Sequence, residues 1–238
     1  MKQFFLSTVN KGSNFTPLDA TIVNLGESGN STGDLINRLS SVSAENPDLV
    51  IIMVGTNDLL NSAKLNDLDT YEANLNTIIS SISVYADILF MNVLPCWEPY
   101  VYSRHTYPNN DLYNNNTLNE VVNLGNERIA KVVGKNGLYF YDANARLKAN
   151  GDPKEDVNSF LRNQNNSPDD DGIHPTANGH NAIGLGLFET LKKRKISANK
   201  IVTFGDSITY GVHVAGEGTT TSSAANYSGR LKYYLENQ

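Results

Sequence analysis

The chain has 238 residues, 39% of them hydrophobic and 18% charged, with a formal net charge of −6. That length can bury a full core as one large domain or two small ones. The acidic balance argues against nucleic acid or an anionic membrane as a partner. The single cysteine, Cys96, excludes an intrachain disulfide, and no apolar run approaches the ~18 residues of a membrane-spanning helix. The opening stretch Met1–Val9 is too short an apolar run for a signal peptide. As written, the chain is expected to be soluble and without an export address, with cytoplasm and secretion both open as locations.

Strand-like and helix-like segments alternate from residue 20 onward. "ATIVNLG" (20–26) reads as a short β-branched strand, and "TGDLINRLSSV" (32–42) as a helix through Leu35, Ile36 and Leu39. "PDLVIIMVG" (47–55) is apolar on both faces, as a buried parallel strand should be. Residues 69–86 are expected to form an amphipathic helix on Tyr71, Leu75, Ile78, Ile79 and Ile82. "DILFMNVLP" (87–95) is a third strand. Residues 117–134 read as a helix with a Thr117–Glu120 capping box and Gly134 as its stop. "LYFYDA" (138–143) is a further apolar run. Residues 175–195 open on Pro175 and end on basic residues, as a helix would. "KIVTFG" (200–205) and a last helix over 225–237 close the chain. Lys11–Leu18, Trp97–Asn116 and Asn150–Asp170 read as irregular. Five strand–helix units without a linker predict a parallel sheet covered by helices on both faces, in one domain over 1–238.

Sites in such sheets form at the C-terminal ends of strands. Four sharp turns are expected there: "GDS" around Ser207, "GESGNS" with Gly29, "GTND" with Asn57, and "DGIHP" with Asp171 and His174. A serine hydroxyl is a weak nucleophile until a base takes its proton. His174 is the candidate base, since none of His105, His180 and His213 has an Asp three residues upstream. Residues three apart share a face of a helical turn, so Asp171 can hold the imidazole tautomer. Candidate donors to a developing oxyanion are the N–H groups of Ser207 and Gly29 and the Asn57 amide. Asp58 and Asp206 read as braces of their turns, and His213 as a surface-loop residue.

Together, "GDSIT", "ESGNS", "GTND" and "DGIH" resemble the four blocks of the SGNH hydrolases, also called GDSL esterases. The resemblance implies a three-layer α/β/α, flavodoxin-like fold, a serine esterase and no metal or other cofactor. It assigns Ser207, His174 and Asp171 to a triad, and Ser207, Gly29 and Asn57 to the oxyanion hole. The surrounding residues look most like family members that remove acetyl groups from carbohydrates. The implied substrate is a small-molecule or polysaccharide acyl ester, with no nucleic-acid or membrane partner. The departure is order: the family runs Ser, Gly, Asn, Asp-His, whereas here Ser207 comes last. The expectation is a circular permutation, residues 200–238 standing for the usual first strand and helix. Rival readings are a thioesterase or lysophospholipase, and a non-catalytic carbohydrate-binding protein. Trp97, Tyr100 and Tyr102 are candidate sugar contacts, or else aromatics packed on the domain or at an oligomer contact, the oligomeric state being open. Asp169–Asp171 could suggest a cation site, but a solvated acidic loop is the expectation. Cys96 reads as a buried small hydrophobe.

Overall fold

A computed structural model of the chain describes residues 20–151 and 153–237. The expected irregular stretch Lys11–Leu18 lies outside them. All five strands are parallel: β1 (Thr21–Gly26), β2 (Leu49–Met53), β3 (Asp87–Met91), β4 (Tyr139–Tyr141) and β5 (Lys200–Gly205). Their order across the sheet is β1-β5-β2-β3-β4, so the last strand in sequence lies between the first two. Counted from β5, that order becomes 2-1-3-4-5, the flavodoxin-like arrangement.

The central strands are buried on both faces, which is why they read as unbroken apolar runs. Along β2 and its end, Val50, Ile52 and Val54 face one core, while Leu49, Ile51 and Met53 face the other. Along β5, Val202 and Phe204 join the first core and Ile201 the second. Thr203, polar and fully buried, shares a 2.8 Å hydrogen bond with the Ser228 hydroxyl. The first core is covered by α1 (Thr32–Asn37), α2 (Leu39–Ala44), α4 (Leu68–Ile82) and α7 (Leu118–Asn136). The second is covered by α8 (Ala143–Leu147), α9 (Ala177–Arg194) and α11 (Tyr227–Glu236). Short helices α3 (Thr56–Leu60) and α10 (Ser207–Tyr210) follow β2 and β5 directly.

The amphipathic stripe expected on α4 is buried in full: Tyr71, Leu75, Ile78, Ile79 and Ile82. Each such side chain contributes roughly 1.5–3 kcal/mol by leaving water. Three local expectations need correction. The helix expected over 32–42 breaks at Arg38, whose guanidinium turns in to bond Leu25 O, Gly205 O and Asn30 Oδ1. Helix α7 runs past Gly134 and stops at Gly137, which takes the left-handed φ of 63°. The expected stretch Trp97–Asn116 holds α5 (Glu98–Arg104) and α6 (Asp111–Asn114), α5 opening with Pro99 in its first turn. The stretch expected to be irregular over 150–170 is so among the described residues from 151 on, and it is braced from within. The Asn163 and Asn166 amides donate to carbonyls of Asp156 and Leu161, and that of Asn166 also to Ser159.

Candidate active site

The turn that carries Ser207, the candidate nucleophile, starts where β5 ends. Gly205 has no room for a Cβ, because the Met53 carbonyl and the Thr209 hydroxyl press on it. Asp206 caps α10 by accepting from the Ile208 N–H at 2.9 Å. It is fully buried, and burial pushes its carboxyl up to about 6, against the pull of that N–H and of His174. Ser207 is the first residue of α10, so its N–H has no carbonyl one turn back within the helix to bond.

The opposing turn precedes α9. Asp171 and His174 are brought together, but not by a helical turn as their spacing suggested. Gly172 takes φ 69°, and the Asp171 Oδ1 accepts from the N–H groups of Ile173 and His174, both at 2.8 Å. The other oxygen, Oδ2, meets His174 Nδ1 at 2.7 Å. Burial alone would raise the Asp171 carboxyl, yet the His174 ring and the two backbone donors outweigh it and hold it below its ordinary value. Asp171 therefore stays ionised and fixes the proton on Nδ1, leaving Nε2 to accept. That Nε2 lies 2.8 Å from Ser207 Oγ. The arrangement can take the serine proton and stabilise the imidazolium that results.

Ser207, His174, Asp171, Gly29 and Asn57 line one cleft of about 300 Å³. Gly29 is in a turn with φ 78°. The Asn57 amide gives one hydrogen to Asn30 O at 3.0 Å, and its oxygen accepts from Asn61. A second amide hydrogen remains for the cleft. Asp58 is a brace, as expected: fully buried, it accepts from the Thr32 N–H and hydroxyl and from Asn66, linking the Gly29 and Asn57 turns. Its carboxyl is raised by burial. The cleft is also walled by Leu60, Val101, Ile173 and Val212, with Arg104 and His105 beside them. No local pattern in the sequence announces these wall residues, because four separate elements bring them together.

The structure does not bring Trp97, Tyr100 or Tyr102 to that cleft. Helix α5 turns Val101, Arg104 and His105 toward it instead. Tyr102 is exposed and meets Tyr107 edge to face at 5.9 Å. The hydroxyls of Tyr107 and Tyr113 donate to Leu60 O and Leu59 O, so this part of the aromatic stretch packs on the domain. Trp97 lines a second cleft, of about 470 Å³, with Glu98, Asn119 and Lys148. Its backbone N–H donates to Gly172 O at 2.7 Å, which ties that cleft to the turn holding Asp171 and His174. His213 is an exposed residue of the loop after α10, as expected, but it also touches the site. Its ring stands edge to face on His174, with centroids 5.7 Å apart. Among the described residues, Asp171, His174 and His213 are the one group placed to share a cation. Both ring nitrogens of His174 already have partners, so a metal there would dismantle the hydrogen-bonded chain. Cys96 is buried, and burial pushes its thiol up to about 12.

Similar folds are found among solved structures. An acetylxylan esterase, Axe2, from Geobacillus stearothermophilus superposes with a TM-score of 0.51 at 21% identity, over 69% of this chain and 68% of that one. The lipase/acylhydrolase from Enterococcus faecalis gives 0.53 at 18% identity, over 70% and 72%. LAE5, an alpha/beta hydrolase from the metagenome of Lake Arreo, gives 0.50 at 18%, over 68% of each. No curated protein sequence matches the chain. The sequence model of the GDSL-like lipase/acylhydrolase family matches residues 13–182, a span that takes in Gly29, Asn57, Asp171 and His174 and ends before Ser207. A match over most of the chain, on a sheet of the expected order, settles kinship: this protein belongs to the GDSL-like lipase/acylhydrolase family.

Proposed function

We propose that the protein is a serine esterase that removes short acyl groups, acetyl first among them, from a carbohydrate alcohol. The observation that carries this reading is the unbroken chain Ser207 Oγ, His174 Nε2, His174 Nδ1, Asp171 Oδ2, with contacts of 2.8 and 2.7 Å. Ser207 Oγ attacks the ester carbonyl while His174 Nε2 takes its proton. The oxyanion is received by the N–H groups of Ser207 and Gly29 and by the Asn57 amide. The tetrahedral adduct collapses, and His174 returns the proton to the leaving alcohol. Water then attacks the acyl-serine, His174 again taking and returning one proton, and the acid leaves. The acetyl-on-sugar assignment is supported by the motif neighbourhood and by the acetylxylan esterases among the structural neighbours. The single domain would be the permuted form of the fold, β5 and α11 being the usual opening strand and helix.

A longer acyl chain is the second reading, favoured by the apolar wall of Leu60, Val101, Ile173 and Val212. Initial rates on p-nitrophenyl acetate, butyrate and octanoate, with acetate release from acetylated xylan, separate the two. The first reading expects rates that fall with chain length and vanish in Ser207→Ala. A preference for octanoate would transfer the assignment to the second. Ser207-independent rates would contradict both, and no rate on any ester would favour a binding protein.

A further inference from the structure

The mechanism above uses no residue between Asn57 and Asp171, yet one of them is placed to govern it. Arg162 is 3% exposed, among the few buried charged residues of the described part of the chain. Its backbone forms one side of the acid–base turn: its N–H donates to His174 O and its carbonyl accepts from the Gly172 N–H, both at 3.0 Å. Leu161 bridges Pro175, and the Thr176 N–H donates to Phe160 O at 2.8 Å, so residues 160–162 pair alongside 172–176. The guanidinium then reaches in two directions. Nε donates to Asp169 O at 2.9 Å, and Nη2 donates to Asp169 Oδ2 at 2.9 Å and to the Ser167 hydroxyl, which ties it to the approach to the turn. Nη1 donates to His213 O at 3.0 Å, which belongs to the loop after Ser207. His213 has φ 69°, a left-handed conformation that a histidine holds only when its surroundings fix it. Its ring abuts the His174 ring, and its Nδ1 lies 3.7 Å from Asp169 Oδ2.

We infer that Arg162 is a positioning residue: it locks the loop after the nucleophile onto the acid–base turn, so that His213 packs against the His174 ring and holds Nε2 in line with Ser207. A guanidinium suits this task, since its planar fork serves several acceptors at once and stays charged when buried. Lysine keeps the charge but not the fork. The inference rests on the esterase reading for its kinetic consequence, though not for its structural one.

The test compares Arg162→Lys and Arg162→Met with the unaltered protein, each well below its own melting temperature. KM for p-nitrophenyl acetate is expected to change little. The value of kcat is expected to fall about a hundredfold in the Met variant, as misplacement of a reacting group typically does, and less in the Lys variant. The far-downfield proton NMR signal of His174 Nδ1–H bonded to Asp171 should broaden or vanish with kcat. Folded variants that keep both that signal and kcat, whatever their melting temperature, would overturn the inference. If the Met variant does not fold, Ser167→Ala and Asp169→Asn each remove part of the same clamp and should show graded losses of signal and kcat. If the unaltered protein hydrolyses no ester, the esterase reading falls, and the NMR signal alone still decides the role of Arg162.

Discussion

Two fully buried ionisable residues near the site give the protein opposing responses to pH. His180 has no hydrogen-bond partner on either ring nitrogen among the described residues, and burial pushes it down from 6.5 to about 3. Unfolding lets it take a proton, so its contribution to stability is whole above pH 6.5 and is lost as pH falls toward 3. Asp206 is shifted the other way, from 3.8 to about 6, so its contribution is whole below pH 3.8 and is lost as pH rises through 6. Melting temperature against pH should show this directly. His180→Leu should gain on the unaltered protein as pH drops below 6.5. Asp206→Asn, which keeps an oxygen to accept from the Ile208 N–H, should gain as pH rises from 4 to 7. Parallel curves for either variant would contradict the assignment of that group. The sequence disclosed Ser207, His174 and Asp171 because each lies in a turn with its own local pattern. It was silent on the meetings of Arg162 with His213 and of His213 with His174, because these join segments 51 and 39 residues apart with no periodic signal.

At the scale of elements, hydrophobic periodicity located the strands and the long helices, since burial on fixed faces must repeat along the chain. The failures have particular physical causes. Arg38 breaks the α1–α2 pair because its partners, the carbonyls of Leu25 and Gly205, come from other strands. Helices α5 and α6 escape a periodicity reading because they are short and their buried residues are few: Val101 alone in α5, none in α6. In α7 two glycines compete for the stop, and only backbone geometry separates them. Gly134 is interior with open space around its α-carbon, whereas Gly137 has φ 63°. Gly134→Ala should therefore stabilise by roughly 0.5–1 kcal/mol, and Gly137→Ala should destabilise by about 1 kcal/mol. Denaturant midpoints read both changes. Equal and same-signed shifts would contradict the placement of the cap.

For the whole molecule, the order of elements was the least expected feature of the sequence, and the sheet accounts for it. Strand β5 enters between β1 and β2, so the turn after it reaches the same sheet edge as the turns holding Gly29 and Asn57. The opposite edge carries the loop from α9 to β5, far from the cleft. There the Lys232 ammonium of α11 donates to Ala20 O at 3.0 Å, just before β1. Joining residue 237 to residue 20 by a short link and opening the chain between 195 and 199 would give the order Ser, Gly, Asn, Asp-His. Such a rearranged chain should fold and keep its Ser207-dependent rate, since termini that lie close at the surface tolerate this change. Loss of the fold would mean that the present order is needed for stability.

The central claim is that Ser207 is a nucleophile activated by a histidine that precedes it in the chain. Incubation with a serine-directed phosphonate, followed by mass spectrometry of the digested protein, tests it most directly. The expected result is a single adduct on the peptide containing Ser207, absent in Ser207→Ala and strongly slowed in His174→Ala. No adduct, an adduct on another residue, or labelling indifferent to His174 would contradict the claim.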